Sequence, residues 1–330
     1  MLELRRRRVS AILGGLCALA FAFAPLSLRA EPVRTVRVVT AKGQPYYISS
    51  YFLNKVAPPD LKFELVDAPT SSEALDSLLT GNSDVAYMGL ITSILAVSRG
   101  RPISIVAAVG YKGTRILARA DSNIRTIADL AGKNIGVSKS STQDIIMREL
   151  LAQAGIDPAK GVNWILLPTN AHFEAMASKT VDAVTTSEPY GTVLVQSGIA
   201  RSLVDDPYKD AAVSGVATDL VFSREMIAKD PAFVQRIVDL HAKATVYVNE
   251  HPDEVVQALV ASSRQTEPVM RMALQNAGLN YDIGPKYINQ TKILMDELVK
   301  AKYLDKPLDT DQLFNLQFLP KARVAAGVIY

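Results

Sequence analysis

The sequence predicts an α/β protein of two lobes, each built on a parallel-dominated sheet, with helices at its C-terminal end. Three observations predict it. From residue 33, strand-like segments alternate with single helix-like ones, the pattern of parallel sheets covered by helices on both faces. The alternation runs through one set and then through a second, similar set. Beyond Arg224 the period becomes helical almost throughout. The chain has 330 residues, 48% hydrophobic and 21% charged, enough for two or three globular domains and too apolar for wholesale disorder.

In the first set, residues 33–40 read as a strand, 41–45 as a loop and 46–56 as a helix. A strand over 61–67 is followed by a helix over 71–80 that Gly81 ends. Residues 84–87 form a short strand, 91–98 a helix and 103–109 a strand. In the second set, strands cover 116–119 and 134–138, and a helix covers 142–154 before Gly155. A strand over 163–167 precedes a helix over 171–178, and a strand over 182–185 precedes a helix over 189–197. Residues 200–204 and 216–222 are further strands. From 224 to 302 the helical period breaks only at Asp230-Pro231, His251-Pro252, Glu267-Pro268 and Gly284-Pro285. A tail with few strands of its own is expected to return to the first lobe. The chain would then cross between lobes near 111–115 and 213–219, stretches rich in glycine and small or polar residues.

The formal net charge of +3 is uneven. Residues 1–30 carry five arginines against one glutamate, and the remaining 300 residues carry 31 basic and 32 acidic side chains. A nucleic-acid function therefore has no electrostatic footprint. Arg5 to Arg8, an apolar stretch from Val9 to Leu28 and the small Ala30 read as a signal peptide over residues 1–30. The alternative is a retained membrane anchor, which Gly14, Gly15 and Pro25 weaken. Arg7-Arg8 permits a twin-arginine reading, but the residues after this pair fit that pattern poorly. Cys17, the single cysteine, lies inside the apolar stretch and lacks the surroundings of a lipoprotein site. Once the signal is removed, disulfides, cysteine metal sites and thiol nucleophiles are all excluded. The expected product is a periplasmic protein.

Familiar catalytic motifs are missing. The sequence has no Gly-x-Ser-x-Gly, no His-Glu-x-x-His, no phosphate-binding Gly-x-x-x-x-Gly-Lys and no Gly-x-Gly-x-x-Gly after a strand. His172, His241 and His251 lack ligand spacing. The expectation is a non-enzyme with no cofactor and no metal.

In α/β sheets, ligands bind beyond the carboxyl ends of strands, where helix N-termini present unpaired amides. Six strand-to-helix junctions are therefore candidates. The first offers Gly43, Gln44 and Tyr46, which either meet a ligand or form an ordinary turn. At the second, Thr70 and Glu73 make a capping box, leaving Ser71 and Ser72 for a cleft. The third, with Met88 and Gly89, suits a pocket wall or plain packing. The fourth is the richest: Ser138, Lys139, Ser140, Ser141, Thr142 and Gln143 exceed what one helix cap needs. The fifth supplies Asn170 as ligand contact or cap. The sixth supplies Glu188 and Tyr190; Glu188 is placed to cap the helix, pair with a hinge residue or accept from a ligand amine. One helix N-terminus gives an anion about 0.3–1 kcal/mol. Micromolar binding needs about 8 kcal/mol, so several junctions must converge.

These residues carry a family likeness. Gly81-Asn-Ser-Asp84-Val-Ala-Tyr-Met-Gly89 with Ser98-Arg-Gly-Arg-Pro102, then Ile127-Ala-Asp129-Leu-Ala-Gly132-Lys-Asn-Ile-Gly136-Val, resemble segments of nitrate/sulfonate/taurine-type ABC substrate-binding proteins, the NMT1/THI5-like group. Ser140-Ser-Thr142-Gln, Gly155-Ile-Asp157-Pro and Val181-Asp182-Ala followed by Ser187-Glu188-Pro189-Tyr190 continue the likeness in order. It covers most of residues 33–225.

The resemblance implies a type II periplasmic binding protein fold, with a two-strand hinge between lobe I (31–114 plus 217–330) and lobe II (115–216). It implies a monomeric solute-binding component that hands its solute to an ABC permease in the inner membrane. The hydroxyl-rich fourth junction favours a small organic anion such as an aliphatic sulfonate or taurine. A thiamine-precursor pyrimidine or aromatic solute is the alternative, with Tyr46, Tyr87, Tyr111 and Tyr190 as stacking surfaces. A sensory module for a membrane kinase or chemoreceptor would share the pocket. An exported hydrolase would use Ser140, Ser141 or Glu188. The fungal pyrimidine-making branch needs a cysteine-rich motif that this chain lacks.

Overall fold

The chain is laid out in eleven strands among the residues described by the computed structural model, namely 32–204, 206–209, 211–212 and 216–326. The expected signal peptide and Cys17 lie outside them. β1 (Arg34–Thr40), β2 (Leu61–Asp67), β3 (Val85–Gly89) and β4 (Ile103–Lys112) belong to one sheet. β5 (Thr114–Arg119), β6 (Asn134–Val137), β7 (Asn163–Leu166), β8 (Ala183–Ser187) and β9 (Ala200–Val204) form a second. β10 (Thr218–Ser223) and β11 (Ala277–Leu279) return to the first. The strand orders are β11-β4-β10-β3-β1-β2 and β7-β6-β8-β5-β9.

Each sheet is parallel on one side, through β2-β1-β3 in one and β7-β6-β8 in the other. The strands that carry the chain across, β5 and β10, enter their sheets from the opposite direction. They therefore pair antiparallel with their neighbours. Both sheets are consequently mixed, with less parallel pairing than the βα rhythm suggested. The first crossing runs through Lys112 and Gly113, both left-handed at φ 64° and 76°.

Period-2 alternation makes β5 a two-faced wall. Ile116 and Ala118 pack in one hydrophobic cluster with Ile135 and Ile146, while Leu117 packs in another with Val184 and Leu194. Strand β4, flanked by β11 and β10, is buried from Ile103 to Gly110, as expected of a strand covered on both faces.

The helical tail returns to the first lobe. Its prolines open helices rather than merely interrupting one: Pro231–Glu250, Pro252–Ser262, Glu267–Asn276 and Pro285–Lys300 all carry proline in the first two positions, where the missing N–H is no loss. Phe233, Ile237, Val238, Leu294 and Leu298 join the first lobe's core.

Two local expectations are corrected. Residues 45–52 form a 3-10 helix, not the start of an α-helix. There the Ser50 hydroxyl donates to the Tyr47 carbonyl at 2.7 Å, drawing off a backbone acceptor. The tail also hides β11, which pairs Ala277–Leu279 with β4. Among the described residues no helix is long and apolar enough to cross a membrane.

Candidate functional site

A cavity of about 550 Å³ opens between the two sheets, at the ends of the strands where helices begin. Three helices aim their first turns at it. Ser71–Leu79 follows β2, Leu90–Ser98 follows β3, and Thr142–Gln153 follows β6. The first amides of a helix have no intrahelical acceptor. The residues that bear them here, Ser71 and Ser72, Ile91 and Thr92, Thr142 and Gln143, all line the cavity.

Local bonds fix these turns. Thr70 and Glu73 form the expected capping box. Ser71 Oγ accepts from the Gly89 amide at 2.9 Å, joining the second junction to the third. Ser141 Oγ accepts from the Asp144 amide at 3.2 Å and donates to the Ser138 carbonyl at 2.6 Å. Ser138 Oγ lies 3.0 Å from Thr169 Oγ1, tying the fourth junction to the fifth.

Nine of the expected residues line the cavity: Gln44, Tyr46, Ser71, Ser72, Gly89, Ser140, Ser141, Thr142 and Gln143. Five do not. Gly43, left-handed at φ 72°, donates its amide to Tyr51 Oη and faces Ser263. Met88 is fully buried in the first lobe's core, because the odd positions of β3 and the even ones face different layers. Asn170 is exposed and caps nothing; the neighbouring Thr169 faces the cavity instead. Tyr190 is half-buried away from the cavity.

Glu188 is fully buried behind the site. Its Oε2 accepts from the Thr192 amide at 3.0 Å, capping the helix Tyr190–Gln196. Its Oε1 accepts from Asn276 Nδ2 at 2.7 Å and lies 3.8 Å from Arg115 in the first crossing. Two of its three expected roles are thus filled by protein groups.

Sequence reasoning missed much of the wall. Tyr47, Thr114, Leu166, Leu167, Ser187 and Thr218 line it. So does Lys112, whose signal was its place in the glycine-rich crossing. Lys139 was noted in the fourth junction and also lines the cavity. Tyr208 gave no periodic signal; its hydroxyl donates to the Lys112 carbonyl at 3.0 Å and lies 2.8 Å from Thr114 Oγ1.

The electrostatic character is one-sided. Among the described lining residues the charged groups are Lys112 and Lys139, and no carboxylate is present. The Lys112 ammonium lies 3.9 Å from Asp206. No group of three His, Cys, Asp or Glu side chains among the described residues is disposed to hold a metal ion. Of the four tyrosines considered as stacking surfaces, Tyr46 faces the cavity. Tyr87 is buried in the core against His241, and Tyr111 and Tyr190 lie elsewhere.

Comparison with known proteins gives a consistent result. The sequence model described as NMT1/THI5 like matches residues 57–255, more than half of the chain. An Escherichia coli (strain K12) protein, whose name provisionally assigns it to aliphatic sulfonates, is 24% identical over 220 residues, 66% of this chain and 67% of its own. The crystal structure of the periplasmic aliphatic sulphonate binding protein SsuA from Escherichia coli superposes with a TM-score of 0.72 at 20% identity, covering 85% of this chain and 92% of that one. The desulfurization enzyme DSZB shares the architecture at a TM-score of 0.64 and 18% identity, over 87% of this chain and 98% of its own. The fold is that of the type II periplasmic binding proteins. With a matched region running from the strand β2 through both sheets into the tail, the chain belongs to the NMT1/THI5-like family.

Proposed function

We propose that this protein is the solute-binding component of an ABC importer, exported to the periplasm, and that its solute is a small organic anion of the aliphatic sulfonate class. The lobes are assigned as residues 31–114 with 217–330, and 115–216. One observation carries the reading. The cavity is walled by hydroxyls, helix-first-turn amides and two ammonium groups, with no carboxylate among the described lining residues. Such a wall stabilises an anion and repels none. Its apolar side, with Ile91, Leu166 and Leu167, suits a short hydrocarbon chain.

The mechanism is capture without chemistry. Amides from both lobes converge on the anion, and closure buries it; the permease then takes the closed form. Of the residues a hydrolase would use, Ser141 is engaged as a helix cap and Glu188 lies outside the cavity.

Melting of the protein lacking residues 1–30 against sulfonates, nitrate, aromatic acids and pyrimidines tests this. A ligand at about 100 times its Kd adds about 2.7 kcal/mol, raising the midpoint by several degrees. A shift with alkanesulfonates is expected. A shift with a pyrimidine alone would replace the anion by the heterocycle, and turnover of a recovered ligand would replace the binder by an enzyme.

A further inference from the structure

Asp144 is fully buried, three positions into the helix Thr142–Gln153 whose first residues line the cleft. Its carboxylate has three donors. Oδ2 accepts from the Ser140 amide at 3.1 Å and from the Tyr303 hydroxyl at 2.6 Å. Oδ1 accepts from Arg148 Nε at 2.7 Å. Ser140 is left-handed at φ 55°, a conformation that side-chain-bearing residues avoid unless something holds them there.

Tyr303 comes from the other lobe. It follows the helix Pro285–Lys300 and packs against the first lobe's core. Burial and the neighbouring Asp144 push its hydroxyl up to about 12, so it remains a donor at neutral pH. The Arg148 guanidinium lies 4.4 Å from the centre of the Trp164 ring and 5.9 Å from that of Tyr303, which fixes the third donor between two rings. Ile145, next in sequence, packs into the first lobe's core cluster.

We propose that Asp144 and Tyr303 are a positioning pair for the binding site: Tyr303 reaches across from the tail to hold the carboxylate that sets the Ser140 turn, and with it the Lys139, Ser140 and Thr142 groups presented to the ligand. This rests on the cleft being the solute site. The pair touches no ligand itself; it couples the shape of one wall to the placement of the opposite lobe.

The test uses Tyr303→Phe and Asp144→Asn in the protein without residues 1–30, with pentanesulfonate as the probe. Hydrogen exchange of the unliganded protein is expected to speed up about tenfold at the Ser140 amide, which donates to the Asp144 carboxylate, as loss of a hydrogen bond to a charged group implies, and not across the second lobe as a whole. Pentanesulfonate affinity by calorimetry is expected to fall about tenfold, while the unliganded melting midpoint of Tyr303→Phe moves by no more than about 3 °C. Unchanged exchange at the Ser140 amide in both variants overturns the proposal. So does a uniform rise across the lobe with affinity intact, which marks a structural role only. If the wild-type protein ignores pentanesulfonate, the functional reading is what falls, and the exchange result alone decides the pair.

Discussion

The Tyr46 hydroxyl accepts a hydrogen bond from the Glu188 amide at 2.6 Å, so a side chain on the first lobe's cleft wall is fastened to the end of β8 in the second. The same hydroxyl donates to the Gly113 carbonyl at 2.9 Å, in the crossing itself. Burial, then the Glu188 carboxylate, raise its pKa well above the ordinary tyrosine value, so it does both as a neutral group. The Glu188 amide also donates to the Gly113 carbonyl at 3.0 Å, so Tyr46→Phe removes the bridging hydroxyl and leaves those two groups paired with each other. It is expected to cost about 0.5–1.5 kcal/mol, read as a lower melting midpoint.

Gly113→Ala is expected to be worse. A Cβ there would overlap the Tyr46 ring, and φ is 76°. The left-handed strain alone costs about 1–2 kcal/mol, and overpacking adds about 1–3 kcal/mol. Gly81→Ala is the control: φ is 73°, but nothing lies within 4 Å of the added Cβ. It should show the strain without the clash, so denaturant midpoints for the two variants must differ clearly.

Lys139 has no carboxylate partner among the described residues and lines the cleft. Lys139→Gln should weaken alkanesulfonate binding about tenfold, with a smaller loss at high salt, where an exposed charge is screened. Asn170→Ala and Tyr190→Phe, outside the cavity, should leave the affinity at the wild-type level. Isothermal calorimetry at two ionic strengths distinguishes these outcomes.

Three buried groups shape the pH dependence of stability. Burial pushes the Asp219 carboxyl up to about 8, although the Tyr287 hydroxyl donates to it at 2.5 Å. Its unfolded value is 3.8, so between about pH 4 and 8 the folded state holds a proton the unfolded chain has lost, and stability falls as pH rises. Burial lowers His172 and His241 from 6.5 to about 4. Between about pH 6.5 and 4 the unfolded chain binds two protons there that the folded state refuses. That outweighs the one on Asp219, so stability falls as pH drops. Midpoints measured from pH 4 to 9 should peak near pH 6.5. Asp219→Asn should flatten the alkaline limb and steepen the acid limb, because the proton on Asp219 that partly offsets the two histidines is gone.

What could be read from the chain alone is what local physics decides. The Thr70–Glu73 capping box forms within four residues, and Pro231, Pro252, Pro268 and Pro285 each open a helix because a proline at its start loses no hydrogen bond. The βα rhythm and the hydroxyl-rich start of the helix at Thr142 are local as well, and they brought most of the expected contacts to the cleft. Tertiary structure decided the rest. β11 exists because β4 offers Ala277–Leu279 an edge to pair with, inside a stretch whose own period is helical. Met88 and Gly89 are adjacent in sequence, yet one enters the core and the other the cleft. Glu188 faces Asn276 and Arg115, residues 88 and 73 positions away, rather than a ligand. Periodicity tells which residues share a face, but which face meets the other lobe depends on how the two sheets are set against each other, and contacts between distant residues determine that.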